Sequence, residues 1–135
     1  MKYEFIEACV IGDLDKVKEL LDKGVDASAR NNYAIRWASR NGHTEIVKIL
    51  LADARVDASD DDNWALTQAC RNNRIEIVKL LLQDQRVDAS ADNNYAIRRA
   101  SYNGHTEIVR LLLADPRVDP SADDNYAIGL ASENG

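Results

Sequence analysis

An all-α solenoid, a stack of short helix-turn-helix pairs, is the fold class this sequence predicts. Three observations lead there. An aromatic recurs at Tyr33, Trp64, Tyr95 and Tyr126, at intervals of 31 residues. A fixed period of that size marks a repeat array. Within a period, two apolar stripes of helical spacing follow one another across a turn residue. Each stripe covers only about eight to ten residues, below the roughly 12–15 that an isolated helix needs. Every helix must therefore bury its stripe against its hairpin mate and the next pair. The expected organisation is one domain over 1–135, with repeats at 2–30, 31–61, 62–92 and 93–123 and a partial unit at 124–135. That amounts to four helix pairs and a C-terminal half repeat.

The first pair reads FIEACVIGDLDKVKELLDKG. Asp13 is placed to cap its second helix, and Gly24 to end it. Lys16 replaces the isoleucine of Ile46, Ile77 and Ile108. A polar residue there suits a terminal repeat with no neighbour to cover it, so the segment reads as the start of the array. In the second repeat Tyr33, Ile35, Ala38 and Ser39 form the first stripe, and Ile46, Val47, Leu50 and Leu51 the second. Asn32 is expected to cap the first helix through its side-chain oxygen. Gly42 stands where a helix ends in a left-handed residue. The third repeat has Asn73 there, the next most tolerant type. Asp13, His43 and His105 open the second helices, where the third repeat has Arg74, expected to be a poor cap and a soft spot.

The loops carry Arg55-Val56-Asp57, Arg86-Val87-Asp88 and Arg117-Val118-Asp119. A single valine in a polar loop must be buried somewhere, so these are expected to pack between repeats. Pro116 and Pro120 forbid helix. Asp60-Asp61-Asp62 and Asp123-Asp124 put negative charge before a first helix, where the helix dipole favours it. The chain closes on a lone first helix at 125–134, in which Gly129 costs about 1 kcal/mol relative to Ala. Its uncovered Ile128 and Leu130 belong to a piece of a longer array, form a crude cap, or dock a second copy head to tail in a contact that does not close on itself.

The segments NGHTEIVKILL and NGHTEIVRLLL resemble the second-helix signature of the ankyrin repeat. The resemblance covers essentially the whole chain. YAIR and WALT replace the family's opening Thr-Pro-Leu-His, and a period of 31 in place of 33 shortens the connection. RVDASA and RVDPSA stand at the family's Gly-Ala-Asp-Val-Asn-Ala loop. The YAIRWAS wording is similar to a variant found in large DNA viruses of amoebae. The resemblance implies a protein–protein interaction module whose first helices and loop tips line a concave groove. Carried onto this chain, the partner-binding candidates are Trp37, Arg40, Asn41, Asp61, Gln68, Arg71, Arg99 and Tyr102. All but Asn41 and Asp61 sit in slots that vary between copies and are expected to face outward: Trp37, Gln68, Arg99 and Leu130; Arg36, Thr67, Arg98 and Gly129; Arg40, Arg71, Tyr102 and Glu133. Trp, Tyr and Arg dominate interface energetics. A plainer reading has Arg36, Arg71, Arg98 and Arg99 paired with loop aspartates for about 0–1 kcal/mol each. In that reading Trp37 leans on the next repeat as packing, and Trp64 is framework.

Composition narrows the classes. The net charge is −6, against the basic footprint that nucleic-acid binding needs. No run approaches 18 apolar residues, so no membrane span is expected. There is no Gly-rich phosphate loop, and His43 and His105, the only histidines, lack metal-ligand spacing. Both read as structural. No catalytic, cofactor or metal site is expected, and the protein is not expected to be an enzyme. Cys9 and Cys70 fill the small-residue slot of Ser39, Ser101 and Ser132 and read as packed thiols. They point to a reducing intracellular setting, cytoplasmic or nuclear. The expected partner is a protein or peptide offering acidic groups to the arginines and basic groups to the aspartate loops, held by a monomer. The rival expectation is an engineered or structural scaffold without a natural ligand, self-associating through its C-terminal half repeat.

Overall fold

The computed structural model describes residues 1–119, the side chain of Asn93 excepted. Among these residues there are eight helices and no strand: α1 (Lys2–Ile11), α2 (Leu14–Asp22), α3 (Ala29–Asn41), α4 (Thr44–Leu51), α5 (Asp60–Arg71), α6 (Ile75–Leu82), α7 (Ala91–Tyr102) and α8 (Thr106–Leu113). The odd-numbered helices lie side by side in a front row, and each turns back to lay its partner behind it. The front-row helices make the more extensive contacts with one another. This is the predicted helix-turn-helix solenoid. The expected last half repeat lies outside the described residues, with Pro120, Asp123-Asp124, Tyr126, Ile128, Gly129, Leu130, Ser132 and Glu133.

One core runs the length of the stack. Phe5, Ile35, Leu66 and Ile97 come from the front row; Leu20, Leu50, Leu81 and Leu112 come from the back row. Removing such a side chain from water contributes about 1.5–3 kcal/mol. Ala38, Ala69 and Ala100 are fully buried, because a small side chain lets neighbouring helices approach. The loop valines Val56, Val87 and Val118 are buried as expected, and Val25 in the first loop is buried too.

Cys9 and Cys70 are buried free thiols. Burial pushes Cys9 up to about 12 and raises Cys70 as well, so both behave as small apolar groups. In the same slot the hydroxyls of Ser39 and Ser101 are buried with no hydrogen-bond partner. Replacing both by Ala is expected to raise stability by about 1–2 kcal/mol, because each change removes an unpaired, desolvated hydroxyl. A urea midpoint that stays put or drops would count against this account.

The turns depart from expectation in one respect. Gly42 and Asn73 do adopt positive φ, 84° and 58°. Asp13 caps α2 by accepting the Lys16 N–H at 3.1 Å. Asn32 does not cap α3. Arg30, Asn31 and Asn32 are all left-handed, with φ of 59°, 57° and 59°, and the right-handed helix begins only at Tyr33. Asp61, Asp62 and Asn63 repeat this ahead of Trp64, and Asp92 and Asn94 do so ahead of Tyr95. Asn and Asp are the side chains that tolerate this region best. The acidic run at 60–62 is thus largely a conformational device.

The side-chain oxygen of Asn32 reaches forward and accepts the Asp57 N–H at 2.8 Å. Asn63 and Asn94 hold Asp88 and Asp119 in the same way, at 2.9 and 3.0 Å. A second ladder runs through the loop arginines. Arg55 and Arg86 donate to the carbonyls of Val25 and Val56, one loop upstream, while pairing with Asp53 and Asp84. Arg117 does the same with Val87 and Asp115. A third joins helices. His43 Nε2 contacts the Val10 carbonyl at 2.9 Å, and His105 Nε2 the Arg71 carbonyl at 2.9 Å. Arg74 Nε donates to the Arg40 carbonyl at 3.0 Å. Arg74 makes no side-chain cap on α6, as expected, but it is not idle. It serves, like the histidines, by meeting an orphan carbonyl at the end of the preceding front helix.

The first three loops also carry an Asp-Ala-Ser turn, at 26–28, 57–59 and 88–90. The Ser59 hydroxyl, ahead of the Ser59 N–H, holds the Asp57 carboxyl below its usual range. Ser28 and Ser90 do the same for Asp26 and Asp88. A carboxyl lowered by folding stabilises fully above its unfolded value and loses that contribution as pH falls through its folded value. The urea midpoint is expected to fall below about pH 4. With Ser59→Ala and Ser90→Ala combined, less stability should be lost across that interval. An acid loss of undiminished size in the double variant would count against the turns as its source.

Candidate partner-binding surface

Helical periodicity decides what the front row exposes. From Tyr33 onward the buried residues of α3 are Ala34, Ile35, Ala38 and Ser39, which leaves Tyr33, Trp37, Arg40 and Asn41 on the open face. The same register in α5 opens Trp64, Gln68 and Arg71, and in α7 Tyr95, Arg99 and Tyr102. The candidate residues of these three helices therefore fall along one strip.

The strip is built from rings and guanidinium groups. Trp37 stacks on Tyr33 at 5.7 Å and meets Trp64 of the next repeat at 5.3 Å. Arg40 lies over Trp37 at 4.9 Å. Arg36 lies over both Tyr33 and Trp64, at 5.6 and 5.4 Å, and pairs with Asp61 at 3.0 Å. Arg99 lies over Tyr102 at 5.2 Å, and Tyr102 is 60% exposed. A cation over a ring contributes about 0.5–1 kcal/mol at an exposed site, so these contacts hold the arginines in place more than they stabilise the fold.

Individual residues behave differently. Trp37 does lean on the next repeat, yet it stays half-buried. Trp64 and its counterparts Tyr33 and Tyr95 are half-buried too and belong to the strip as much as to the framework. Asn41 donates its amide to the Val10 carbonyl at 3.0 Å and is partly committed to the stack. Asp61 is held by Arg36. The slot of Arg36 and Thr67 does not simply face outward. Thr67 is buried, its hydroxyl donating to the Trp64 carbonyl, and the Arg36 side chain is only 16% exposed. Arg98 donates to the Asp92 carbonyl and lies over Tyr95. Of the arginines expected to meet loop aspartates, Arg36 does so; Arg71 and Arg99 have no carboxylate partner among the described residues.

Open clefts lie mostly away from the strip, one of them reaching it at Tyr33. One of about 370 Å³ is lined by Leu82, Leu111, Ala114, Asp115, Pro116 and Arg117. A smaller one of about 250 Å³ lies between Tyr3, Ile6, Arg30 and Tyr33. Neither brings two carboxylates, a histidine or a thiol together. No group of three His, Cys, Asp or Glu side chains able to hold a metal occurs among the described residues. No helix among them is long and apolar enough to cross a membrane.

The family description "ankyrin repeats (3 copies)" matches residues 5–93, and that of a single ankyrin repeat matches residues 92–125. Ankyrin repeats are in general protein–protein interaction modules, and the family is typically non-catalytic. With paired short helices stacked in a row and these matches spanning most of its length, the chain belongs to the ankyrin repeat family.

Proposed function

We propose that this chain is a non-catalytic binding module that holds a protein or peptide partner against the front-row strip, with Trp37, Arg40, Gln68, Arg71, Arg99 and Tyr102 as the contact residues and Asn41 and Asp61 at its margins. The observation that carries the reading is the half-exposed cluster of Trp37, Trp64 and Tyr33 flanked by Arg36 and Arg40. Aromatic and arginine side chains on a rigid support are what hot spots are made of. The strip stands on helices, so its ordering cost is met during folding and not again at binding. The reading needs no cofactor and has the chain act as a monomer. Its two buried thiols suit a reducing intracellular compartment.

Trp37→Ala combined with Arg71→Ala is expected to weaken a partner captured on the intact chain more than tenfold, about 1.4 kcal/mol or more. The far-UV circular dichroism should stay unchanged, because neither side chain belongs to the core. Trp37 and Trp64 are the only tryptophans, so binding should also shift the intrinsic emission. A captured partner that holds the double variant as tightly as the parent chain would retire this surface. The scaffold reading, in which no natural ligand exists, rests on the near-identity of the copies. It predicts that no partner is reproducibly captured.

A further inference from the structure

Arginines are treated in two ways in this molecule. On the loop edge Arg55, Arg86 and Arg117 each pair with an aspartate two residues upstream. On the front row Arg40, Arg71 and Arg99 pair with no carboxylate among the described residues, although acidic residues outnumber basic ones 23 to 17. Arg40 and Arg99 lie over rings, and the Nε of Arg99 is buried without a partner. The surrounding sequence sharpens the contrast. Segments 36–41, 67–72 and 98–103, which end α3, α5 and α7, hold five arginines and no acidic residue. The acidic groups of these helices gather at their opposite ends, at Asp60, Asp61, Asp62 and Asp92. A row of cationic forks thus crosses three successive helices within a chain of net negative charge.

We propose that Arg40, Arg71 and Arg99 form a carboxylate-binding row that selects an extended acidic peptide segment with acidic side chains three residues apart. This rests on the front-row reading above and adds the partner's chemistry to it. Arg40 and Arg71 occupy one slot in successive repeats, and Arg99 the adjoining slot in the next. Packed helices stand about 8–10 Å apart. An extended chain advances about 3.3 Å per residue, so three residues cover one helix spacing. A carboxylate at i meets the first guanidinium, one at i+3 the second and one at i+6 the third. The guanidinium fork suits a carboxylate in two-point contact, and its weak hydration keeps the desolvation cost low. Single-stranded nucleic acid fits less well. The faces of Trp37 and Trp64 are already covered by Tyr33, Arg36, Arg40 and each other, leaving little for base stacking.

The test is to pan a random dodecapeptide phage library over the intact chain. Enriched peptides should be net acidic and carry Asp or Glu at i and i+3. A fluorescein-labelled peptide from that pool should bind at least 30-fold more weakly to the chain carrying Arg40→Gln, Arg71→Gln and Arg99→Gln, with the circular dichroism unchanged. It should bind at least tenfold more weakly once its acidic residues are regrouped as neighbours, and binding should weaken as salt is raised. Neutral or basic peptides that the triple variant loses would overturn the acidic-partner inference and leave the strip as a binding surface. Peptides that the triple variant keeps would overturn the inference and the strip together, and so would a library with no enriched sequence. Tighter binding of a labelled dodecauridylate than of any enriched peptide would overturn the choice of partner class.

Discussion

Asn63→Ala is expected to be among the most damaging single substitutions in this chain, costing roughly 2–4 kcal/mol. Two effects add. Asn63 is left-handed at φ 62°, where a Cβ-bearing residue other than Asn or Asp is strained by roughly 1–2 kcal/mol. Its side-chain oxygen also accepts the Asp88 N–H at 2.9 Å, and stranding that partly buried donor costs about 1–3 kcal/mol. Asn63→Gly separates the two, since glycine is at ease at positive φ yet supplies no acceptor. The order of urea midpoints should be parent, Gly variant, Ala variant. An Ala variant within about 0.5 kcal/mol of the parent, the range of ordinary surface changes, would show that the ladder contributes nothing. Asn63 sits in the middle of the stack, where each repeat is stabilised by its neighbours. The Ala variant should therefore also broaden the transition as the two halves begin to unfold separately.

Gly12→Ala should follow, at roughly 2–3 kcal/mol. Gly12 closes α1 at φ 89°, so any side chain is strained there. In addition, a Cβ would lie 2.7 Å from Cε1 and Nδ1 of the His43 ring. The ring cannot simply retreat, because its Nε2 is engaged with the Val10 carbonyl. Substitution must break that inter-repeat contact. Gly24→Ala is the control: its φ is 91° and nothing lies within 4 Å of the added atom, so it reports backbone strain alone. The Gly12 variant should be the less stable of the two in urea titrations, and His43→Ala should close most of the gap. Equal midpoints for the two glycine variants would remove the ring contact from this account.

How far these sites could be read from the chain itself differs case by case. Gly42 and Asn73 follow a helical stripe and precede another, so their left-handed turn was legible from neighbours in sequence. Asn32 offered an equally familiar local signal, a capping side chain before a helix, and that signal misled. Its oxygen serves the loop 25 residues on, a contact no local window contains. His43, Arg74 and His105 looked like unequal caps but perform one task, because the carbonyl each meets lies on the preceding repeat. Trp64 passed for framework because it shares a slot with Tyr33 and Tyr95. Only the packed helices show that slot to be half open, with Arg36 folded across it. Thr67 was taken for an outward position, and it is buried by its neighbours.

Period, helical stripes and turn residues determined by themselves that this protein is a row of helix pairs, because those features are encoded within one repeat and simply copied. The tertiary structure alone decided which polar side chains stitch one repeat to the next and which arginines lack a carboxylate. Those outcomes depend on distances between residues about 25–34 positions apart, set by how the helices stack. The same Asn or Arg, in the same local sequence, is a cap, a strut or a binding group according to what the neighbouring repeat brings within about 3 Å.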